Sequence, residues 1–581
     1  MVNEEQGTPP TGEDRMREIQ GIGIGQGIAV GPVVRMAEPL PAPEDRASGF
    51  DASQEEERAR TSLAAVADEL QRRGARAGGA AKDVLEAQAM MAGDPSLITD
   101  VVKRLAEGKT AERAVYEAFA AFRDVLAGMG GYLGERAADL DDVSQRVVAH
   151  LLELPAPGVP DPGHPFVLVA RDLAPADTAV LDLEQVLALV TVDGGPTSHT
   201  AILAREQSIV AIVGAAGAAG LVDGEQVLVD AEHDVVVVAP SEAQLAEARE
   251  RSAARRLAAE APITPGALAD GAPVPLLANL GSVGGAAEAL RLGAEGVGLF
   301  RTEFLFLDAD RAPSVAEQQE QYTKLLNEFA GKKVVVRVLD AGADKPLAFL
   351  NDAEEENPAL GLRGIRALRR SEAVLREQLT ALAAADAATD AELWVMAPMI
   401  ATVEETRYFT ALAAELGIRT AGVMIEVPAA ALLADRVLDA CAFASIGTND
   451  LTQYTMAADR LLGTVAQLQS PWHPAVLRLI EEVGAAGART GTPVGICGEA
   501  AADPLLAVVL VGLGATSLSM SPSALADVRA SLARYGLEDA RAIAGAALAT
   551  EGAAEAKRAA TAAAESVRGR SVGDSSASGL Q

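Results

Sequence analysis

The chain has 581 residues, enough for roughly four domains at ~150 residues each. Its 82 acidic residues against 49 basic ones give a formal net charge of −33, which excludes a nucleic-acid binder working through a basic surface. With 49% hydrophobic residues, wholesale disorder is excluded as well, and two cysteines, Cys441 and Cys497, cannot build a disulfide framework.

The opening segment MVNEEQGTPPTGEDR is acidic and polar, unlike a signal peptide, and residues 1–19 are expected to be flexible. GIGIGQGIAVGPVVR (21–35) mixes glycines with β-formers and reads as strand and turn. Residues 53–155 change character: Ala114, Val115, Ala118, Phe119, Phe122, Val125, Leu126 and Met129 make a one-sided stripe with a period near 3.6. Asp94-Pro95 supplies a helix cap followed by a first-turn proline. Four or five helices in a small bundle follow, inserted over 39–155 into an α/β domain made of 20–38 and 156–240. Short apolar runs at Phe166–Val169, Val186–Val190, Ile209–Val213 and Val235–Val238 supply strands of that domain. Ser241-Glu-Ala-Gln opens a charged linker helix over 241–262, stopped by Pro262 and Pro265.

Beyond residue 263 eight strand candidates alternate with helical stretches: Pro275–Asn279, Gly296–Arg301, Val334–Asp340, Trp394–Met399, Gly422–Glu426, Phe443–Asn449, Val494–Cys497 and Ser517–Met520. Eight βα units over 263–549 match a (β/α)8 barrel. The fold class is thus multidomain α/β, a swivelling α/β domain with an inserted helical bundle followed by the barrel. Residues 550–581 read as a flexible Ala-, Glu- and Ser-rich tail. The longest apolar runs, such as Leu505–Leu513, are too short to span a bilayer, so a cytoplasmic protein without membrane insertion is expected.

Active sites of such barrels sit at the C-terminal ends of the strands. Asn279, Arg301, Arg337, Asp340, Glu426, Asn449, Asp450 and Cys497 all fall there. Arg301, Arg337, Arg363, Arg460 and Lys345 would place five cations around one cavity of an acidic protein, and guanidinium forks match phosphate and carboxylate oxygens. Glu426 and Asp450 are natural oxygen ligands for Mg²⁺, which binds through one or two carboxylates plus substrate oxygens. A small phosphorylated substrate with a divalent metal follows; an aldolase, a kinase or a lyase would all fit this half alone.

A second site is Gly194-Gly-Pro-Thr-Ser-His-Thr-Ala-Ile-Leu-Ala-Arg205, between a predicted strand and a predicted helix. Thr197 or Ser198 can cap that helix, and its free N–H groups favour an anion nearby. Of the five histidines only His199 has glycines before it and a helix start around it, which suits a nucleophile that accepts a phosphoryl group.

GGPTSHTAILAR resembles the phosphohistidine motif of the phosphoenolpyruvate-utilising enzymes. GVGLFRTEFLF (296–306), the stretch from Arg337 to Lys345, ENPALGLRGIR (356–366), IEVPAA (425–430), SIGTNDLTQYTMAADR (445–460) and GICGEAA (495–501) resemble their successive barrel motifs. Motif and domain order are similar to the enzyme I family of the bacterial phosphoenolpyruvate:sugar phosphotransferase system, over about residues 20–545. The resemblance implies that His199 takes the phosphoryl group of phosphoenolpyruvate and passes it to a histidine of a small phosphocarrier protein. It implies that Arg301, Arg337, Arg460, Asn449, Lys345 and Arg363 hold the phosphoryl group, that Glu426 and Asp450 ligate Mg²⁺, and that Cys497 protonates the departing enolate to give pyruvate. It also implies a homodimer through the barrel domain. Three positions depart from the family pattern: Pro196 where Arg is common, Ala174 where Thr is common, and Ala343 in place of a glycine. A pyruvate phosphate dikinase or phosphoenolpyruvate synthase needs a nucleotide-grasping domain for which 581 residues leave no room. A catalytically silent regulatory homologue is the other alternative, against which the intact His199, Arg301, Glu426, Asp450 and Cys497 set stands.

Overall fold

The computed structural model of the chain describes residues 17–577 apart from 26, 38, 78, 130–136, 156, 174–176, 178–180, 183–184, 196–197, 207–208, 307–311, 342–346, 348–349, 351–354 and 461. The chain divides into two compact units, residues 1–252 and 253–581.

The first unit is built on an eight-stranded sheet. In chain order its strands are β1 (Arg17–Gln20), β2 (Ile22–Ile24), β3 (Ile28–Arg35), β4 (Phe166–Ala170), β5 (Val186–Thr191), β6 (Val210–Val213), β7 (Gln226–Asp230) and β8 (Val235–Val238), and their order in the sheet is β1-β8-β7-β3-β4-β5-β6-β2. β3 to β6 are parallel neighbours and the flanking pairs are antiparallel. Parallel strands are buried on both faces and therefore read as continuous apolar runs. In β4, Val167 and Val169 join Val33, Val190 and Ile212 on one face, while Phe166, Leu168 and Ala170 join Leu189, Ala201 and Ala204 on the other. Arg17 already lies in β1 and Ile19 is buried in this core, so the flexible segment expected over 1–19 is corrected at its end. β7, with its run Gln-Val-Leu-Val-Asp, completes a hairpin with β8 whose turn holds His233.

Between β3 and β4 the described residues form five helices, Ala52–Ala77, Gly79–Ala92, Pro95–Ala106, Ala111–Met129 and Ala137–Leu152. Asp94 accepts hydrogen bonds from the Ser96 and Leu97 amides, and Pro95 occupies the first turn where its missing N–H costs nothing. Leu63, Val66, Leu70, Leu97, Val101, Val115, Phe119, Val143 and Val147 make the bundle core. Buried Arg73 donates to the Val159 carbonyl at 2.9 Å and so ties the bundle to the segment that re-enters the sheet.

The second unit is a closed, all-parallel barrel of β9 (Leu276–Leu280), β10 (Val297–Arg301), β11 (Lys333–Arg337), β12 (Glu392–Ala397), β13 (Ala421–Ile425), β14 (Ala444–Ile446), β15 (Val494–Ile496) and β16 (Ser517–Met520), with β16 pairing back to β9. Alternation along each strand decides what faces inward. Val334 and Val336 belong to the large outer core against the helices, while Val335, Leu299, Met396, Met424, Phe443 and Cys497 fill the interior. Two residues beyond Leu299, Val335 and Met424 stand Arg301, Arg337 and Glu426, so the inward parity that fills the barrel also delivers its polar rim.

The stretch expected as a strand over Phe443–Asn449 ends at Ile446, and a helix, Thr448–Met456, starts two residues later. Asn449 and Asp450 therefore sit in the first turn of that helix. The flexible tail expected over 550–581 is also corrected: Ala553–Ala577 is a helix in which Ala556, Ala560, Ala564 and Val567 are buried. Those positions recur at helical spacing, and small side chains let the helix lie close against its neighbour, Leu537–Leu548. No helix among the described residues is long and apolar enough to cross a membrane.

Candidate functional site

The barrel rim holds a chain of buried ion pairs. Arg301 and Arg337 end neighbouring strands in register. Glu303, two residues past β10, accepts from Arg337 Nη2 at 2.6 Å and from the Asp340 amide at 3.1 Å through the same Oε1. Arg337 Nη1 lies 3.1 Å from Asp340 Oδ2, and Asp340 in turn accepts from Arg363 Nε at 3.3 Å and Nη2 at 3.1 Å. Arg363 then grips Asp450, Nη1 to Oδ1 at 2.7 Å and Nη2 to Oδ2 at 3.1 Å, while Arg460 Nη1 reaches the same Oδ2 at 3.4 Å. Thr302 fastens the two strand ends together by donating to the Arg337 carbonyl at 3.0 Å.

The electrostatics follow from burial. Burial alone would raise the Asp340 carboxyl, but Arg337 and Arg363 hold it down at about 2. Burial would lower the two arginines, but Glu303 and Asp340 at Arg337, and Asp340 and Asp450 at Arg363, outweigh it and raise both guanidinium groups above their ordinary range. Glu426 is the opposite case. It is 1% exposed, and burial, followed by repulsion from Asp450 and Asp340, pushes its carboxyl up to about 8. Its Oε1 accepts from the Met399 amide at 2.6 Å.

That setting fits a hard divalent cation. Glu426 and Asp450 are buried carboxylates near enough to repel, and that repulsion is what a cation would relieve. Room is kept beside them by Gly447, where a Cβ would fall 2.6 Å from Glu426 Oε2. Among the described residues no group of three or more His, Cys, Asp or Glu could hold a metal ion, so the chain would supply two carboxylates and leave further positions to substrate oxygens or water.

The remaining residues expected at the rim are placed as follows. Arg301 is half-buried and has no ion-pair partner among the described residues, which leaves its guanidinium available to an anion. Asn449 Oδ1 accepts from the Glu499 amide at 3.1 Å and so links two rim segments. Cys497 is buried at the end of β15, its Sγ 3.6 Å from the Ile446 carbonyl, and burial pushes its thiol up to about 11. Asn279 donates to the Cys497 carbonyl at 3.0 Å and accepts from Ser519, so it braces the rim at the Cys497 backbone. Lys345 and Ala343 lie outside the described residues. Glu303 and Tyr454 also belong to this rim and carry little signal in the sequence. Glu303 follows Arg301 by two, and Tyr454 follows Asp450 by four on one helix face, a spacing that could have marked it.

In the first unit, β5 leads through Gly194, whose φ of +97° suits only glycine, into the helix His199–Glu206. Ser198 caps the helix by accepting from the Ala201 amide at 3.3 Å. Thr200, the next residue after His199, donates to Asp172 Oδ1 at 3.3 Å, which fastens the helix start to the loop after β4. Ala174 and Pro196 lie outside the described residues. The other four histidines each have a local role. His150 pairs with Ser62 at 3.0 Å, His164 Nδ1 lies 3.0 Å from the Pro165 carbonyl, His233 bonds Asp230 at 2.8 Å, and His473 caps the helix Pro474–Thr490.

Three family models match in succession: "PEP-utilising enzyme, N-terminal" over 20–136, "PEP-utilising enzyme, mobile domain" over 162–234, and "PEP-utilising enzyme, PEP-binding domain" over 255–536. A phosphoenolpyruvate-protein phosphotransferase of Streptomyces coelicolor is 51% identical over 94% of this chain and 98% of its own length. Proteins of the same name from Haloferax volcanii and Bacillus subtilis are 43% and 36% identical, over 82% and 90% of this chain and 87% and 96% of theirs. A histidine at a capped helix start, a barrel rim of arginines and carboxylates, and near full-length relatives agree: the chain belongs to the phosphoenolpyruvate-protein phosphotransferase family, enzyme I of the phosphotransferase system.

Proposed function

We propose that the chain transfers the phosphoryl group of phosphoenolpyruvate to its own His199 and then to a histidine of a small phosphocarrier protein, releasing pyruvate, as the first step of sugar uptake by the phosphotransferase system. The observation that carries this is the buried rim, where Arg337, Arg363 and Arg460 are oriented by carboxylates beside Glu426 and Asp450. Phosphoryl transfer is mostly positioning plus neutralisation of charge, which explains a site rich in arginine and poor in bases.

In the transfer, an imidazole nitrogen of His199 attacks phosphorus, the bond from phosphorus to the enol oxygen breaks, and that oxygen leaves as an enolate. Arg301, uncommitted among the described residues, would meet the incoming phosphoryl oxygens, with Arg337, Arg363, Arg460, Asn449 and Lys345 completing the hold. Cys497 would give its proton to the enolate carbon and recover one from solvent. A thiol pushed up to about 11 keeps its proton at neutral pH until that strong base forms beside it. The family's divalent metal, which we take as Mg²⁺ on Glu426 and Asp450, would neutralise phosphoryl and enolate oxygens.

Because His199 must serve the barrel rim and an external protein in turn, the domain of 20–38 and 156–240 is expected to swing on its connectors. Distance labels on both domains, with and without phosphoenolpyruvate and Mg²⁺, would then give two populations, against one fixed distance if it does not. A cytoplasmic homodimer joined through the barrel domain completes the reading, and sedimentation of the full chain tests the assembly. The activity itself is tested with labelled phosphoenolpyruvate and Mg²⁺. An adduct stable to base, labile to acid and lost in His199→Ala is expected, whereas an unlabelled wild type would mark a protein that keeps the fold and only binds partners.

A further inference from the structure

Asp450 is already engaged at the rim, because guanidinium groups hold both of its oxygens. Oδ1 accepts from Arg363 Nη1 at 2.7 Å and Oδ2 from Nη2 at 3.1 Å, with Arg460 Nη1 3.4 Å from Oδ2. A divalent cation at ~2.1 Å from either carboxylate oxygen would stand against a guanidinium of the same sign of charge, so the cation and the bidentate guanidinium compete for the one carboxylate. Arg363 has a second hold of its own. Asp340 accepts from its Nε at 3.3 Å and its Nη2 at 3.1 Å, and Nη1 also donates to the Tyr454 hydroxyl at 3.2 Å, which donates onward to the Ala359 carbonyl. The guanidinium can therefore release Asp450 without leaving its place.

We propose that Arg363 is a built-in competitor of the divalent cation for Asp450, and that substrate tips the exchange. This rests on the reading that Glu426 and Asp450 hold the cation. When Asp450 turns to the cation, Arg363 stays on Asp340 and its Nη1 loses a carboxylate partner. A buried donor left unpaired is costly, so the exchange is unfavourable alone. An anionic substrate oxygen replaces the missing acceptor, which links cation binding to substrate binding in both directions. The three-way sharing of Arg363 among Asp340, Asp450 and Tyr454 thus guards the acidic rim from loading metal without substrate.

The test is Mn²⁺ binding to the full chain, read from the resonance signal of the free ion, in a His199→Ala background so that phosphoenolpyruvate is not consumed. Arg363→Gln is expected to bind Mn²⁺ at least about tenfold more tightly than its parent when phosphoenolpyruvate is absent, since a buried carboxylate has lost its counter-charge. The further tightening on adding phosphoenolpyruvate shrinks by a similar factor. Arg363→Lys, whose ammonium reaches one oxygen at a time, is expected to fall between the two and decides the matter should the Gln variant fail to fold. Unchanged or weaker Mn²⁺ binding in a folded variant would overturn the competition. A parent chain that binds no Mn²⁺ even with phosphoenolpyruvate, or an Asp450→Asn chain that binds it normally, would instead overturn the metal assignment itself.

Discussion

The barrel rim and the His199 loop would handle the same phosphoryl group, yet they are built on opposite principles. At the rim, every described arginine except Arg301 is fixed by buried carboxylates, and Asp340 and Asp450 each join two of them. At the loop, position comes from a glycine turn, a serine cap and the Thr200–Asp172 bond, and an ion pair close by in sequence, Arg171 with Asp193, is largely exposed. On the proposed function the rim would have to gather a polyanion and a cation within a chain of net charge −33, and its charges are set in place beforehand. The loop would only have to present one imidazole at a helix start, and a glycine turn, a cap and one side-chain hydrogen bond suffice for that.

The contrast is broken most sharply by Arg337→Met, which leaves Glu303 without its guanidinium and Asp340 with Arg363 alone. Melting of the barrel unit should show a loss of about 3–5 kcal/mol, the usual effect of removing one partner of a buried pair. A loss below about 1 kcal/mol, the range of exposed pairs, would mean that the rim is solvated like a surface.

Glu426 gives the next largest effect. Its carboxyl lies above its unfolded value of 4.5, at about 8, so the folded protein keeps a proton that the unfolded chain releases between those pH values. Stability should therefore fall as pH rises through that window, by up to about 1.4 kcal/mol per pH unit while one proton separates the states. Measured in chelator, Glu426→Gln should flatten this slope. Asp340, held at about 2, works the other way and withdraws its contribution only as acid takes the pH below about 4.

Smaller effects belong to the loop. Ser198→Ala removes a cap and should cost the first unit about 1 kcal/mol and slow labelling of His199, read by its rate. Arg171→Ala should stay within about 0.5 kcal/mol and leave labelling unchanged, because exposed pairs contribute little.

Much of this was legible beforehand because parity and burial write themselves into sequence. Val335 and Arg337 share the inward side of β11, and the apolar run ending in a charge announces both the strand and its rim residue. What was missed has physical reasons. Ile446-Gly-Thr-Asn-Asp looks extended until Gly447 turns the chain beside Glu426 and hands Asn449 and Asp450 to a helix. The C-terminal helix reads as a tail in sequence because an alanine pattern is faint, although Ala556, Ala560 and Ala564 keep helical spacing. Glu303 was passed over because nothing in Arg-Thr-Glu says that the third residue turns back to hold Arg337 on the next strand; that contact exists only once β10 and β11 pair.

The joint action of loop and rim is tested most directly by the burst of pyruvate when the full chain meets excess phosphoenolpyruvate and Mg²⁺ without any carrier protein. One pyruvate for each phosphohistidine formed, then arrest, and no burst in His199→Ala, is the expected result. Pyruvate release that continues without a carrier, or that survives in His199→Ala, would contradict it.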